Sequence, residues 1–178
     1  DWSAVIGFCN NGLRPGDKVF TGRSTAANSF FSATGGTVAS LMSISNQTST
    51  FKLSERIVQQ FKENDKRRAN FTNKNGTFFG DAHTNTTRYS LVDGSASGLS
   101  GIPILGSREP GGIEVYIGPT YEENATMLAE AKIRTGLIAD GLKGIDEVRA
   151  YQGAGVETLA GKNLTASEAL KELTMERL

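Results

Sequence analysis

Hydrophobic and polar positions change rhythm along this chain, and the clearest rhythm lies between Pro119 and Leu178. Ala125, Leu128, Ala129 and Ile133 recur at three- and four-residue steps, which gathers them on one helical face. Leu142, Ile145 and Val148 form the same kind of stripe in a second helix. Thr120 and Glu123 are spaced as a capping box, in which a hydroxyl and a carboxylate satisfy each other's orphan amides, so the first helix is expected to begin near Tyr121. Gly136 supplies its stop. A short connector from Gly136 to about Asp140 makes the two helices antiparallel neighbours, and Ala129 and Ala131 are small enough to let them approach closely. The expected packing is through Leu128, Ile145 and Val148. Gly153 and Gly155 follow the second helix, and Thr165 with Glu168 is another capping box. Ala169, Leu170 and Leu173 then mark a third helix running to the chain end.

Upstream the rhythm is looser. Asp1 to Asn46 is dominated by turn formers and aromatics without a sustained period, with Asn11-Gly12 and Pro15-Gly16 as punctuation and Val19-Phe20 as a short strand. A short helix is expected around Thr37 to Ser43. Leu53, Ile57, Val58 and Phe61 predict a helix from about Ser54 to Glu63, capped by Ser54. Ala69 to Thr72 and Thr77 to Phe79 read as strands around Asn73-Lys-Asn-Gly76, and Asn-Gly admits the positive backbone angles of a tight hairpin. Gly80 to Gly112 is a long loop rich in Gly, Ser and Thr, and Ile113 to Ile117 alternates as a last short strand. The expected fold class is mainly α, with long irregular loops and a small β-hairpin, divided into a loop-rich part over 1–118 and a helical part over 119–178.

Composition narrows the function classes. The 178 residues carry 19 Lys+Arg against 19 Asp+Glu, so the electrostatic footprint of a nucleic-acid binder is missing, and Lys66-Arg67-Arg68 reads as a solvated helix end. Cys9 is the single cysteine, which excludes an internal disulfide and a cysteine zinc cluster and makes it a small buried hydrophobe. No apolar run approaches the roughly 18 residues of a membrane span.

Catalytic motifs are absent or broken. Gly155 to Lys162 differs from a phosphate loop by five residues between its glycines and by Asn163 in place of Ser or Thr. Gly94-Ser-Ala-Ser-Gly98 puts Ala96 where a nucleophile elbow needs serine. His83 is the only histidine, so a His-pair zinc site cannot be built and no metal or cofactor is expected. For a glycoside hydrolase, Asp81 and Asp93 are the loop-borne carboxylates. Asn-x-Ser/Thr triplets start at Asn46, Asn70, Asn75, Asn85, Asn124 and Asn163, as a chain rich in Asn and Thr produces by chance.

The helical part also carries a family resemblance. Glu123, Glu130-Ala131, a Gly-ended turn, Gly144-Ile-Asp-Glu-Val148-Arg149-Ala-Tyr-Gln-Gly153, Leu164-Thr and Glu176-Arg177 together resemble the C-terminal signature of the SusD/RagB family. Leu53 to Phe61 and Asn64-Asp65-Lys-Arg67-Arg68 resemble the helix and Asp-x-Arg segment that lie ahead of those helices, so the likeness covers roughly Leu53 to Leu178. It implies a TPR-like helical hairpin within an α/α superhelix. It also implies a surface lipoprotein of the outer membrane that binds glycan without cleaving it and delivers it to a SusC-like TonB-dependent transporter. Family chains are longer at both ends, so the chain is expected to be a piece whose third helix continues past Leu178, with an apolar face that promotes self-association.

Sugar rings stack on aromatic faces, and Trp2 and Tyr89, placed on loops, are the candidate glycan-binding residues. Tyr116 is a further amphipathic aromatic, while Tyr121 starts a helix and is expected to pack in the core. Two other classes compete with this reading: a helical-repeat scaffold that binds another protein, and a glycoside hydrolase.

Overall fold

The computed structural model describes residues 1–19, 21–23, 55–73, 89–91, 114–116 and 118–177. The expected helix at Thr37 to Ser43, the Ser54 cap, the Thr77 to Phe79 strand, and Asp81, His83 and Asp93 lie outside them. The described part is mainly helical and divides into two units. One comprises Asp1–Phe20, Asn64–Lys66 and Tyr116–Leu178, and the other Thr21–Glu63 and Arg67–Val115.

The first unit is built on helices α1 (Trp2–Asn10), α3 (Tyr121–Arg134), α4 (Ile138–Tyr151) and α5 (Ala166–Glu176). The second holds the one-turn helix α2 (Glu55–Val58) and all but the first residue of a 3₁₀ turn, Lys66–Asn70. Its strands are β1 (Thr21–Arg23), β2 (Phe71–Asn73), β3 (Tyr89–Leu91) and β4 (Glu114–Tyr116). β1 pairs with β4. β2 and β3 run antiparallel in the register Phe71 to Leu91, Thr72 to Ser90 and Asn73 to Tyr89.

Both expected capping boxes form. The Glu123 amide donates to the Thr120 hydroxyl while the Thr120 amide donates to the Glu123 carboxylate, and Thr165 and Glu168 repeat the exchange at the start of α5. Gly136, with φ +90°, closes α3 in a Schellman turn: its amide donates to the Ile133 carbonyl and the Leu137 amide to the Lys132 carbonyl. Gly153, with φ +69°, ends α4 in the same way, and the buried Ala154 fills the apolar position that follows. α4 starts at Ile138 behind Leu137, which gives no side-chain cap, so the connector is shorter than its sequence suggests.

The α3–α4 hairpin is antiparallel and close. A Cβ on Gly141 would lie 2.5 Å from Ile133 and 2.9 Å from the Ala129 carbonyl, and one on Gly144 would lie 3.4 Å from the Ala129 methyl. Neighbours that ascend along α4 therefore descend along α3. Ala129, Ile133, Leu142 and Ile145 form the core with Leu159, Ala169 and Leu173, so α5 covers the hairpin.

Several expectations need correction. Tyr89 lies in β3 and not on a loop. Ala69 and Asn70 belong to the 3₁₀ turn, so the strand begins at Phe71, and its partner is Tyr89–Leu91. Tyr121 is half-buried and stands outside the core. Trp2 opens α1 and does not lie on a loop: the Ser3 amide donates to Asp1 as N-cap, and α1 leans on α3, an interaction that local composition does not show. Leu128 is only half-buried and stands outside the core, because the i, i+3, i+4 stripe is broader than the strip α4 covers, which runs through Ala129 and Ile133. The helix near residue 55 stops at Val58, short of Glu63, and turns through Gln59 and Gln60. The first strand, Thr21–Arg23, follows Val19, which is a bend.

Candidate binding site

α3 is the element that positions the site. Tyr121, Ala125, Leu128 and Lys132 fall along one stripe of it at steps of four, three and four residues. Asp140, Lys143, Gly144 and Glu147 form a stripe on α4 with the corresponding helical spacing. These two stripes, with the end of α1 and the Gly12–Arg14 turn, line a cleft of about 330 Å³. Ala125, Ala129 and Gly144 keep its floor clear because none projects beyond a methyl group.

Asn124 fixes the wall that α1 contributes. It is buried, and its amide nitrogen donates to the Cys9 carbonyl at 3.1 Å and to the Leu13 carbonyl at 3.4 Å. The turn fits tightly there, since a Cβ on Gly12 would meet Asn124 Oδ1 at 2.1 Å. Asn124 is therefore a structural clamp, and its buried, committed amide leaves no room for a glycan on that nitrogen. Cys9 is buried beside it, and burial pushes its thiol pKa up.

Tyr121 lies at one end of the cleft, half-buried, and its ring forms a T-shaped pair with that of Tyr151 at 5.1 Å between centroids. Burial raises the pKa of its hydroxyl, and Glu147, Glu122 and Tyr151 raise it further. The phenol therefore stays protonated as a donor. Lys132, Asp140, Lys143 and Glu147 make no side-chain hydrogen bond or ion pair among the described residues.

Trp2 stands at the opposite end of α1 from Cys9. It is 42% exposed, and the Arg134 guanidinium sits 4.9 Å from its ring centroid. Arg134 is itself held by Glu130 at 2.7 Å, and Glu130 also accepts from Arg177. Trp2 thus keeps an exposed indole with the Arg134 guanidinium held against one face. Tyr89 lies in β3 of the other unit, so the two aromatics singled out from the sequence belong to different bodies. Charges on a helix ordinarily mark a solvated face, so Lys132, Asp140, Lys143 and Glu147 do not stand out in the sequence. The signal that could have found them is the i, i+3, i+7 spacing of Asp140, Lys143 and Glu147.

Hydrogen bonds and ion pairs between helices and loop knit the first unit together. Arg149 donates to Glu176 at 2.7 Å and to Glu172 at 2.9 Å, tying α4 to α5. The Leu159 and Ala160 amides donate to the Asp146 carboxylate at 2.8 and 2.7 Å, which pins the loop between those helices. The Lys66 amide donates to the Ala154 carbonyl at 2.8 Å, so the Asp65–Lys66 segment docks on the same loop. Among the described residues no group of His, Cys, Asp or Glu side chains is arranged to hold a metal ion, and no helix is long and apolar enough to cross a membrane. No known protein family, curated protein or solved structure matches the chain.

Proposed function

We propose that this chain is part of a non-catalytic, surface glycan-binding subunit that delivers oligosaccharide to a SusC-like TonB-dependent transporter in the outer membrane. The observation that supports this reading is the mutual bonding of the residues that carry the SusD/RagB resemblance. Glu130, Asp146, Arg149, Glu176 and Arg177 bond across α3, α4, α5 and their loop, while the Asp65–Lys66 segment meets that loop at Ala154. Residues scattered through the sequence thus serve one framework, as a family signature for a helical scaffold should. The same proposal takes α3 and α4 as a TPR-like hairpin of an α/α superhelix. Its glycan contacts come from exposed aromatics, of which Trp2 on its Arg134 support is the described example.

Affinity electrophoresis through gels containing a panel of soluble polysaccharides tests binding, and reducing-sugar release on the same panel tests turnover. Retardation by at least one polysaccharide with no release of reducing ends is the expected result. Hydrolysis abolished by Asp81→Asn or Asp93→Asn would replace this reading with a glycoside hydrolase. Co-purification with an outer-membrane transporter tests delivery.

A further inference from the structure

The cleft between α3 and α4 has no part in the framework just described. Its charged side chains are not engaged in holding the helices together: Lys132, Asp140, Lys143 and Glu147 have no hydrogen-bonding or ion-pair partner among the described residues. The neighbouring charges Glu130, Asp146 and Arg149 are, in contrast, all committed. Two facing helices thus present ammonium donors and carboxylate acceptors over a floor of alanine and glycine, with a protonated phenol at one end. Arg14 at the rim adds a further donor.

This combination selects among ligand classes. An apolar ligand would have to strip water from four charges without replacing it, which is costly. A highly charged anion or cation would meet both signs at close range. A ring bearing adjacent hydroxyls suits the site, because each hydroxyl both donates and accepts and can bridge an ammonium and a carboxylate. Its C–H face can lie on the Tyr121 ring. The volume of about 330 Å³ lies at the small end of the roughly 300–1,000 Å³ typical of small-molecule sites, so the cleft takes a chain end of about one or two rings and not a long segment.

We propose that this cleft is a saccharide subsite that recognises the terminus of a neutral oligosaccharide, with Lys132, Lys143, Asp140 and Glu147 bonding hydroxyls and Tyr121 supplying the ring face. The assignment rests on the glycan-binding reading above and adds to it a place distinct from the Trp2 platform. It makes the protein a reader of chain ends.

The test uses the whole chain, with Lys143→Ala and Glu147→Gln as exposed substitutions outside the helix-tying network and Trp2→Ala as the contrast. Each variant is first checked for an unchanged circular dichroism melt. Titration calorimetry with the disaccharide unit of whichever polysaccharide retards the wild type is then expected to show at least tenfold weaker binding for Lys143→Ala and for Glu147→Gln. Disaccharide affinity unchanged in both cleft variants, or lost only in Trp2→Ala, would overturn the subsite while leaving glycan binding intact. A wild type that no polysaccharide retards would overturn the glycan reading itself, and the subsite with it.

Discussion

Arg149 Nε donates to Glu176 Oε2 at 2.7 Å, and both side chains are almost wholly enclosed, at 6% and 2% exposure. Burial disfavours the guanidinium charge, but the hydrogen bonds it donates to Glu176 and Glu172 outweigh that and raise the Arg149 pKa. A pair in this setting is worth little relative to apolar residues of the same shape, yet costs much to break, because the surviving partner stays buried and charged. Arg149→Met should therefore lower unfolding free energy by about 3–5 kcal/mol. Arg149→Lys should recover only part of the loss, since an ammonium cannot reproduce the fork that reaches both carboxylates. Urea denaturation of the variants checks both.

Gly141 sits inside a helix, where propensity favours alanine by about 1 kcal/mol. Packing reverses the sign here, because the added methyl would meet Ile133 at 2.5 Å and the Ala129 carbonyl at 2.9 Å. Gly141→Ala should destabilise by about 1–3 kcal/mol, as overpacked cores do. Gly144→Ala meets only an ordinary contact at 3.4 Å and should be stabilising. Thermal melts of the two single variants should move in opposite directions.

Ile133 is 1% exposed and belongs to the core, whereas Leu128 borders the cleft. Ile133→Ala should cost about 2–5 kcal/mol and Leu128→Ala clearly less. Denaturant midpoints that ranked them the other way would place the core on the wrong face of α3.

Acid should loosen the helical unit through Glu130. Burial alone would raise its pKa, but hydrogen bonds from Arg134 and Arg177 prevail and hold it below the ordinary 4.5. A carboxylate depressed in the folded state contributes stability that is full above the unfolded value and is lost as pH falls through the lower folded one. Glu168 shifts the same way through the Thr165 amide and hydroxyl. Stability measured by urea midpoint should fall between about pH 5 and pH 3, and Glu130→Gln should be less stable near neutrality with a shallower fall.

Cys9 is buried, with a thiol pKa raised by that burial. Thiolate is the reactive form, so alkylation of the native protein at neutral pH should be slow. Asn124→Ala removes the clamp on α1 and should speed labelling before it changes far-ultraviolet dichroism.

Helix starts and stops were legible because they depend on residues within one turn of each other: Thr120 with Glu123, Thr165 with Glu168, and the positive-φ glycines at 136 and 153. The hairpin was legible for the same reason. α1 was not, because its nine residues lean on Asn124 across the sequence, and Asn124 looked only like part of an Asn-x-Thr triplet. Leu128 falls outside the core because periodicity marks a face without saying which part of it a neighbour covers. The cleft is hidden in the sequence for a related reason. Free charges on a helix look the same in a sequence whether they face open water or the opposite wall of a pocket.

The clamp between Asn124 and Cys9 also bears on how the chain finds its shape. α3 and α4 meet through a three-residue turn and can assemble at the speed of local contacts, whereas α1 is joined to them by a bond spanning 115 positions. A nine-residue helix is marginal in water by itself. Docking α1 therefore carries a chain-closure cost that the hairpin, whose helices are neighbours in sequence, does not.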